Sequence, residues 1–403
     1  MANMSGSPLQ KMKLRADHLF YIAFAIFLFQ YILSYTLFTD MFGISTSILC
    51  NALKIISLSI LFIKMLFQVY EERFLIPFFI LGAIAVASLF VTFDQHLIVT
   101  IVFAASSQGV SLRKVAKVSL SVTLFMLIIT VVCALTGAIE SVSRYIESGN
   151  RVTSLGFTVP NRLAAFILLA CVSFAIVRFP VIRLYDFAIY LAAALSCIAI
   201  TGSNTGVLGI LFAVLLVKIY SYCMSRGTIK PLIIGCIVFL LFLMIASLYF
   251  MVLYDPSNSI HAFFNRWLTG RLELSHRYFS LFPPTLFGNN FSSMVFEVGN
   301  YTTLVVDNAY SKLVIQIGYI PAVIFLILYV SPFVRSIKTN NRDLLCLYGL
   351  TVMAAIAFAE SYAFHFVMNY SMMCLLGPLL ECDRKKSKTG KFKERAIDSW
   401  RLS

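Results

Sequence analysis

Five arginines lie in two polar stretches of an otherwise apolar chain. Arg266, Arg271 and Arg277 fall within HAFFNRWLTGRLELSHRYFSLF, where aromatic residues and leucines alternate with basic groups, and Arg151 and Arg162 fall within RVTSLGFTVPNR. The planar fork of a guanidinium matches the oxygens of a phosphate, so these clusters favour a phosphate-bearing ligand. The alternative is that the arginines only pair with acids in the same stretches.

Three further residues are suited to proton transfer. Asp307 stands just before an apolar stretch, and Glu360 and His365 stand in AFAESYAFHF near the C-terminal end. A carboxylate or a neutral imidazole can take a proton from a reacting hydroxyl. Asp is also a favoured helix N-cap, so Asp307 has a base and a cap as alternative roles. His365 can equally be a hydrogen-bonded packing residue.

The composition places these residues in a membrane protein. The chain has 403 residues, of which 60% are hydrophobic and 12% are charged, and its mean hydropathy is +0.88. Soluble domains carry about 25% charged residues. The sequence therefore excludes a soluble enzyme and a disordered chain, and it predicts an all-α polytopic membrane protein. The net charge of +14 does not indicate nucleic-acid binding in such a chain.

Apolar segments predict about twelve membrane-spanning helices, because a helix needs roughly 20 apolar residues to cross a bilayer. The longer candidates are 19–38, 44–63, 74–93, 118–137, 231–254, 313–334 and 361–380. The shorter candidates are 97–112, 163–177, 187–202, 205–217 and 344–359.

The basic residues give the orientation, because Lys and Arg are retained on the cytoplasmic side. With twelve spans, most of the 32 Lys and Arg residues fall on the side of the N-terminus, which predicts that both termini are cytoplasmic. Lys54 lies within a predicted span. The basic residues left on the outer side are Arg144, Arg151, Arg162, Arg266, Arg271, Arg277 and Lys312.

Two predicted outer connections, 138–162 and 255–307, are too long to be simple turns. We expect function to lie in them, because binding residues concentrate in loops. The pattern of 255–307 predicts amphipathic helices at the outer membrane interface. Residues 1–382 are predicted to form one transmembrane domain, and 383–403 a basic cytoplasmic tail against anionic lipid.

Four segments resemble motifs of the Wzy-type polysaccharide polymerases, in the superfamily that includes the O-antigen ligases. RVTSLGFTVPNRLAAF (151–166) resembles an Arg…Gly-Phe-x-His-Pro-Asn segment, and ITGSNTGVLGILFAVLLV (200–217) resembles a Thr-x-Ser-Arg-Thr turn. TGRLELSHRYFSLFPPTLFGNN (269–290) resembles Gly-Arg followed by Leu-Phe-Gly, and VDNAYSKLVIQIGYIPAVIF (306–325) resembles an Asp/His-Asn-x-Tyr motif. Their order and spacing within a basic-inside frame make the set more specific than any one motif.

Three positions depart from the patterns of this superfamily. Val159 stands where the family has His before Pro160, and Asn204 stands where it has Arg after Ser203. Asp307 occupies a position at which ligases usually have His. This last departure favours a polymerase over a ligase.

The resemblance implies a GT-C-like glycosyltransferase in the bacterial cytoplasmic membrane, with an outward-facing active site and a large helical external loop. Such an enzyme transfers the growing chain from undecaprenyl pyrophosphate onto a new lipid-linked repeat unit, with inversion. No metal, nucleotide sugar or other cofactor is expected. The expected partners are undecaprenyl-pyrophosphate-linked oligosaccharides, membrane lipids, a chain-length-regulating co-polymerase and a flippase, and no nucleic acid.

The matching positions supply candidate site residues. Arg271 is the first candidate pyrophosphate ligand, and Asp307 is the first candidate base. Arg266 and Arg277 flank Arg271 in sequence, while Arg151 and Arg162 form a second arginine pair, as expected if two lipid pyrophosphates bind during a turnover. The remaining candidates are Glu360 and His365 as bases, and Asn161, Asn308 and Tyr310 as binding residues, with a helix cap as the alternative for Asn161.

Two other functions remain open from the sequence. One is an O-antigen-type ligase with a different acceptor. The other is a lipid-linked oligosaccharide flippase, for which related halves and charges at mid-membrane are typical. The sequence shows no such repeat, and only Lys54 lies clearly within a span.

Overall fold

The computed structural model describes residues 8–38, 46–68, 70, 72–145, 151–291, 306–338 and 344–377. Over these residues the fold is all-α, with 14 helices and one small hairpin. The helices are α1 (Pro8–Leu33), α2 (Thr46–Leu66), α3 (Glu72–Thr92), α4 (His96–Ser106), α5 (Leu112–Leu135), α6 (Pro160–Arg178), α7 (Leu184–Ser196), α8 (Asn204–Arg226), α9 (Ile229–Leu253), α10 (Ser259–Trp267), α11 (Arg271–Leu281), α12 (Ala309–Lys312), α13 (Tyr319–Lys338) and α14 (Leu344–Ala357).

Seven helices are long and apolar enough to cross a membrane. They are α2, α5, α6, α7 with its π-helical extension to Thr201, α8, α9 and α13. Large apolar side chains cover their outward faces, among them Phe125, Leu215 and Phe242, which are 56%, 57% and 64% exposed. Such a continuous apolar surface suits lipid and not water. The protein is therefore a multi-pass membrane protein.

The shorter apolar helices are Asp17–Leu33, Phe78–Thr92, α4 and α14. Of these, α4 has 11 residues, which is about 16 Å of helix and roughly half the thickness of the hydrocarbon core. The count of about twelve spans therefore stays a prediction. Hydropathy finds apolar segments, but it does not fix how far each one runs as a helix.

The predicted last span, 361–380, is wrong as a helix over its described residues. After α14 the chain forms two 3-10 turns, Ser361–Phe364 and Tyr370–Cys374, joined by irregular backbone. Most of its side chains are buried, and Asn369 closes the irregular stretch by donating to the carbonyl of Ala363 at 3.2 Å. Irregular backbone is tolerated at membrane depth where protein surrounds it. A buried irregular segment is as apolar as a membrane-spanning helix, so hydropathy does not distinguish the two.

Basic side chains gather at one end of the bundle, which we call the basic end. Lys64 at the end of α2 donates to the carbonyl of Ser106 at the end of α4. Arg113 at the start of α5 donates to the carbonyl of Phe179 just after α6, at 2.9 Å. At the same end, Arg178 is the last residue of α6, Lys218 donates to the carbonyl of Ile182, and Arg335 donates to the carbonyl of Cys374. We call the opposite end the site end; the orientation that puts the basic end in the cytoplasm stays a prediction.

The two long connections both contain regular structure. In the first, Ser143–Tyr145 (β1) pairs antiparallel with Arg151–Thr153 (β2), a hairpin that the all-α prediction lacked. In the second, α10 and α11 pack beside α9, and His261 of α10 accepts a hydrogen bond from the backbone N–H of Asp255 at 2.9 Å. Residues 383–403, predicted to be a basic tail, lie outside the described residues. The predicted division into one membrane domain and a tail stays a prediction.

Candidate functional site

Arg271 lies at the centre of a buried polar cluster at the site end. Its terminal nitrogens donate to Glu360 Oε1 at 2.7 Å and to Thr205 Oγ1 at 2.9 Å. Its Nε lies 3.5 Å from Asp307 Oδ2, and the residue is only 8% exposed. Four chain segments that are distant in sequence therefore meet at one guanidinium.

The start of α11 fixes the backbone that carries Arg271. The side-chain oxygen of Asn265, in α10, accepts hydrogen bonds from the backbone N–H groups of Leu272 and Glu273 at 3.2 and 3.1 Å. These N–H groups belong to the first turn, which has no partners of its own within the helix. These bonds fix the link between α10 and α11, and the side chain of Arg271 points into the bundle.

Thr205 was not among the predicted site residues. It lies in the first turn of α8, where Ser203 caps the helix by accepting a hydrogen bond from Gly206 N at 3.2 Å. The hydroxyl of Thr205 then reaches Arg271. A signal existed in the sequence, because Thr205 closes the segment that resembles a Thr-x-Ser-Arg-Thr turn.

The two carboxylates beside Arg271 differ in access. The side chain of Glu360 is 9% exposed, whereas that of Asp307 is 34% exposed. Burial raises the pKa of Asp307, and the charges of Arg271 and Arg162 oppose that rise. Burial also raises the pKa of Glu360, again against the charge of Arg271. Asp307 is thus the carboxylate that a ligand can reach, and its raised pKa suits a general base.

Asn308, predicted to bind substrate, caps the helix that begins directly after it. Its side-chain oxygen accepts from the backbone N–H groups of Tyr310 and Ser311, which makes Asn308 the N-cap of α12. Its amide nitrogen donates to Ser247 and to the carbonyl of Phe358. These four bonds fill its hydrogen-bonding capacity. The cap role considered for Asp307 belongs to its neighbour, which leaves the Asp307 carboxylate available.

Tyr310, also predicted to bind substrate, is buried in the bundle. Its hydroxyl donates to the carbonyl of Ala354 at 3.0 Å, and its ring packs edge-on against Phe364. The structure gives it a packing role that fixes α12 against α14.

Arg162 approaches the same cluster from α6. Its guanidinium stacks 4.0 Å above the ring of Tyr35 and lies 5.9 Å from the ring centre of Tyr362. Its charge acts on both Asp307 and Glu360. The sequence did not indicate either aromatic partner, since the stacking depends on the tertiary fold. Asn161 is half-buried at the start of α6, and the N-cap of that helix is Val159.

The other predicted arginines do not join this cluster. Arg151 lies in β2 and donates to Ser143 of β1 at 3.3 Å. Arg277 pairs with Glu273 one turn earlier on α11, as the acid-pairing alternative proposed. Arg266 is exposed on α10. Arg271 faces into the bundle, whereas Arg266 and Arg277 are exposed, so the structure does not gather the three at one buried site. The role of Arg266 and Arg277 as binding residues stays a prediction.

His365 lies in a separate small cavity beside the cluster. Its ring stacks on His96 with ring centres 3.5 Å apart, and its Nδ1 lies 3.1 Å from the hydroxyl of Tyr31. Its Nε2 is buried and has no hydrogen-bond partner within the described part of the chain. A cavity of about 20 Å³ borders both histidines, enough for one water molecule.

Two glycines of the resembling motifs meet at the site end. Gly318 has a φ of +102°, and a side chain there would overlap the backbone nitrogen of Gly288. The surrounding backbones pair, with the N–H of Asn289 donating to the carbonyl of Gln316 at 3.0 Å. This contact joins the segment after α11 to the start of α13.

No metal site emerges from the described residues, which contain no group of three or more His, Cys, Asp or Glu side chains placed to hold an ion.

Comparison with known proteins adds no assignment. No protein-family model matches this chain, and no curated protein or solved structure matches it either. The resemblance to the Wzy-type polymerases therefore rests on the four sequence segments.

Proposed function

We propose that the protein is a Wzy-type polysaccharide polymerase of the bacterial cytoplasmic membrane. In this proposal the fold is a GT-C-like bundle of about twelve spans, and its site end faces outward. One observation carries the proposal: each of the four resembling segments contributes a residue at or beside Arg271. These residues are Arg162, Thr205, Arg271 itself and Asp307.

The proposed reaction is the transfer of a growing glycan between two lipid carriers. The acceptor hydroxyl attacks the anomeric carbon of the donor sugar, and the bond from that carbon to undecaprenyl pyrophosphate breaks. The electron pair leaves with the pyrophosphate, and the hydroxyl proton passes to a carboxylate. Pyrophosphate is a good leaving group. The protein therefore needs only to stabilise the charge on the leaving pyrophosphate and to supply one base for the acceptor hydroxyl.

Arg271 and Arg162 are suited to stabilise the leaving pyrophosphate. Glu360 and Thr205 each take one of the five N–H donors of Arg271, which fixes the plane of the guanidinium. A fixed donor needs no reorganisation when charge develops, which is the main source of electrostatic catalysis. Glu360 is in this account a positioning residue, because it is buried against Arg271.

Asp307 is the proposed base. It is the more exposed of the two carboxylates, and Asn308 caps α12 in its place. A general base must reach the proton that it removes. The carboxylate of Glu360 is buried against Arg271 and is therefore less accessible to a substrate hydroxyl than that of Asp307.

The proposal is tested with purified protein and the undecaprenyl-pyrophosphate-linked repeat unit, in EDTA and without nucleotide sugar. A polymerase produces a ladder of products that differ by one repeat on a gel. Transfer of glycan only to an added lipid A acceptor would instead identify a ligase. Movement of the intact lipid-linked unit across proteoliposomes, without any new glycosidic bond, would identify a flippase.

A further inference from the structure

A second polar cavity lies at the other end of α12 from Asp307. Lys312, the last residue of α12, pairs with Asp94 at its edge at 3.5 Å. The cavity has a volume of about 420 Å³, within the range of small-ligand sites. Its lining includes Lys54, Phe93, Asp94, Gln95, Phe291 and Gln316.

Asp94 holds one wall of this cavity in place. Its side chain is 6% exposed, accepts a hydrogen bond from the backbone N–H of His96 at 2.8 Å and accepts another from Gln316 at 3.1 Å. Together with the Lys312 pair, these bonds tie the short link between α3 and α4 to the segment before α13. The protein's own contacts thus fix the shape of the wall.

Phe93 presents an aromatic ring at the same link. Its φ is +57°, a left-handed conformation that is rare for a bulky residue. Its ring is 63% exposed and shares the cavity with Phe291. Unfavourable backbone conformations persist where the surrounding structure imposes them, and they concentrate at binding sites. The exposed ring of Phe93 thus offers a flat apolar face on which a ligand can pack.

The polar lining favours an uncharged ligand rich in hydroxyl groups. The charged groups of the lining already have partners within the protein, because Asp94 pairs with Lys312 and Lys54 donates to the amide oxygen of Gln95 at 2.9 Å. The side-chain amides of Gln95 and Gln316 both donate and accept hydrogen bonds, as sugar hydroxyls do. A phosphate has a cationic site elsewhere, at Arg271.

We propose that this cavity binds neutral sugar rings of a glycan, stacked on Phe93 and hydrogen-bonded to Gln95 and Gln316. The identity of that glycan rests on the proposed function: it is the sugar end of the acceptor lipid-linked unit. Asp307 and Lys312 stand about one helical turn apart at the two ends of α12. The cavity and the proposed base thus adjoin the same short helix.

The test measures binding of the oligosaccharide repeat released from its lipid by mild acid, using saturation-transfer NMR on the full-length protein. Phe93→Ala and Gln95→Ala should each weaken binding about tenfold, which corresponds to about 1.4 kcal/mol. Phe90→Ala is the matched control, because Phe90 is 75% exposed near the end of α3 and does not line the cavity.

Two results would overturn the inference. One is glycan binding that is undetectable in the wild type or equal in all variants. The other is binding of inorganic pyrophosphate that Phe93→Ala weakens, because the cavity would then be an anion site. The product ladder separates this inference from the proposed function. If polymerisation is normal and Phe93→Ala does not affect glycan binding, only the proposed glycan site is contradicted. If glycan binding depends on Phe93 but no ladder forms, only the proposed polymerase function is contradicted.

Discussion

The guanidinium of Arg271 lies 2.7 Å from the carboxylate of Glu360, although 89 positions separate the two residues in the chain. This ion pair is buried, and it links the start of α11 to the segment that follows α14. Burying two charges is costly unless each has a partner and further hydrogen bonds. Thr205 and Asp307 supply those further contacts to Arg271. The site is therefore held by the same interactions that orient its arginine.

Arg271→Lys should reduce polymerisation almost as much as Arg271→Ala, by about 100-fold. An ammonium group has the charge but not the planar fork, so it does not contact Thr205, Glu360 and Asp307 in the same geometry. The rate of ladder formation measures this effect. Arg226→Ala, at the basic end, is the control and should retain the wild-type rate. Full activity in Arg271→Lys would show that charge alone suffices.

Glu360→Gln should destabilise the folded protein by about 3 kcal/mol, because the buried charge of Arg271 loses the opposite charge of its carboxylate partner. Arg271→Met combined with Glu360→Gln should be less destabilised than the sum of the single variants. Thermal unfolding of the detergent-purified proteins measures this coupling, which we expect to exceed about 1 kcal/mol. Strictly additive losses would mean that the pair contributes no coupling energy.

Polymerisation should decline as the pH falls through the pKa of Asp307. Burial raises this pKa, and the base works in its ionised form, so activity is full above the pKa and is lost below it. The midpoint should lie above the ordinary Asp value of about 3.9. Asp307→Asn should lower the rate by about 100-fold and remove the acid limb of the profile. An unchanged acid limb in that variant would assign the base elsewhere.

Gly318→Ala should disturb the site without touching a charged residue. The added methyl group would overlap Gly288, and Ala is unfavourable at a φ of +102°. We expect a loss of at least about 1 kcal/mol in stability, because the backbone conformation alone costs that much. Gly82→Ala is the control, since a methyl group at Gly82 meets no atom within 4 Å. Equal melting temperatures for the two variants would contradict the close contact of Gly318 with Gly288.

The sequence predicted the all-α membrane class, and it singled out Arg271 and Asp307, which the structure brings together. Both followed from local signals, namely apolar segments and short motifs. It did not predict Thr205 or the aromatic partners of Arg162, because those contacts depend on how distant segments pack. It also mistook 361–380 for a helix, since a buried irregular segment is as apolar as a membrane span. Arg266 and Arg277 were grouped with Arg271 by proximity in sequence, whereas their exposure on α10 and α11 separates them from it.

The most direct test of the central claim is the product ladder of purified wild-type protein beside Arg271→Ala and Asp307→Asn. The reaction contains the lipid-linked repeat unit and EDTA, and size-exclusion chromatography confirms that each variant is folded. We expect a ladder from the wild type whose rate of formation both substitutions reduce by about 100-fold. A ladder that persists in both folded variants would contradict the proposed site, and the lack of any ladder from folded wild-type protein would contradict the proposed polymerase.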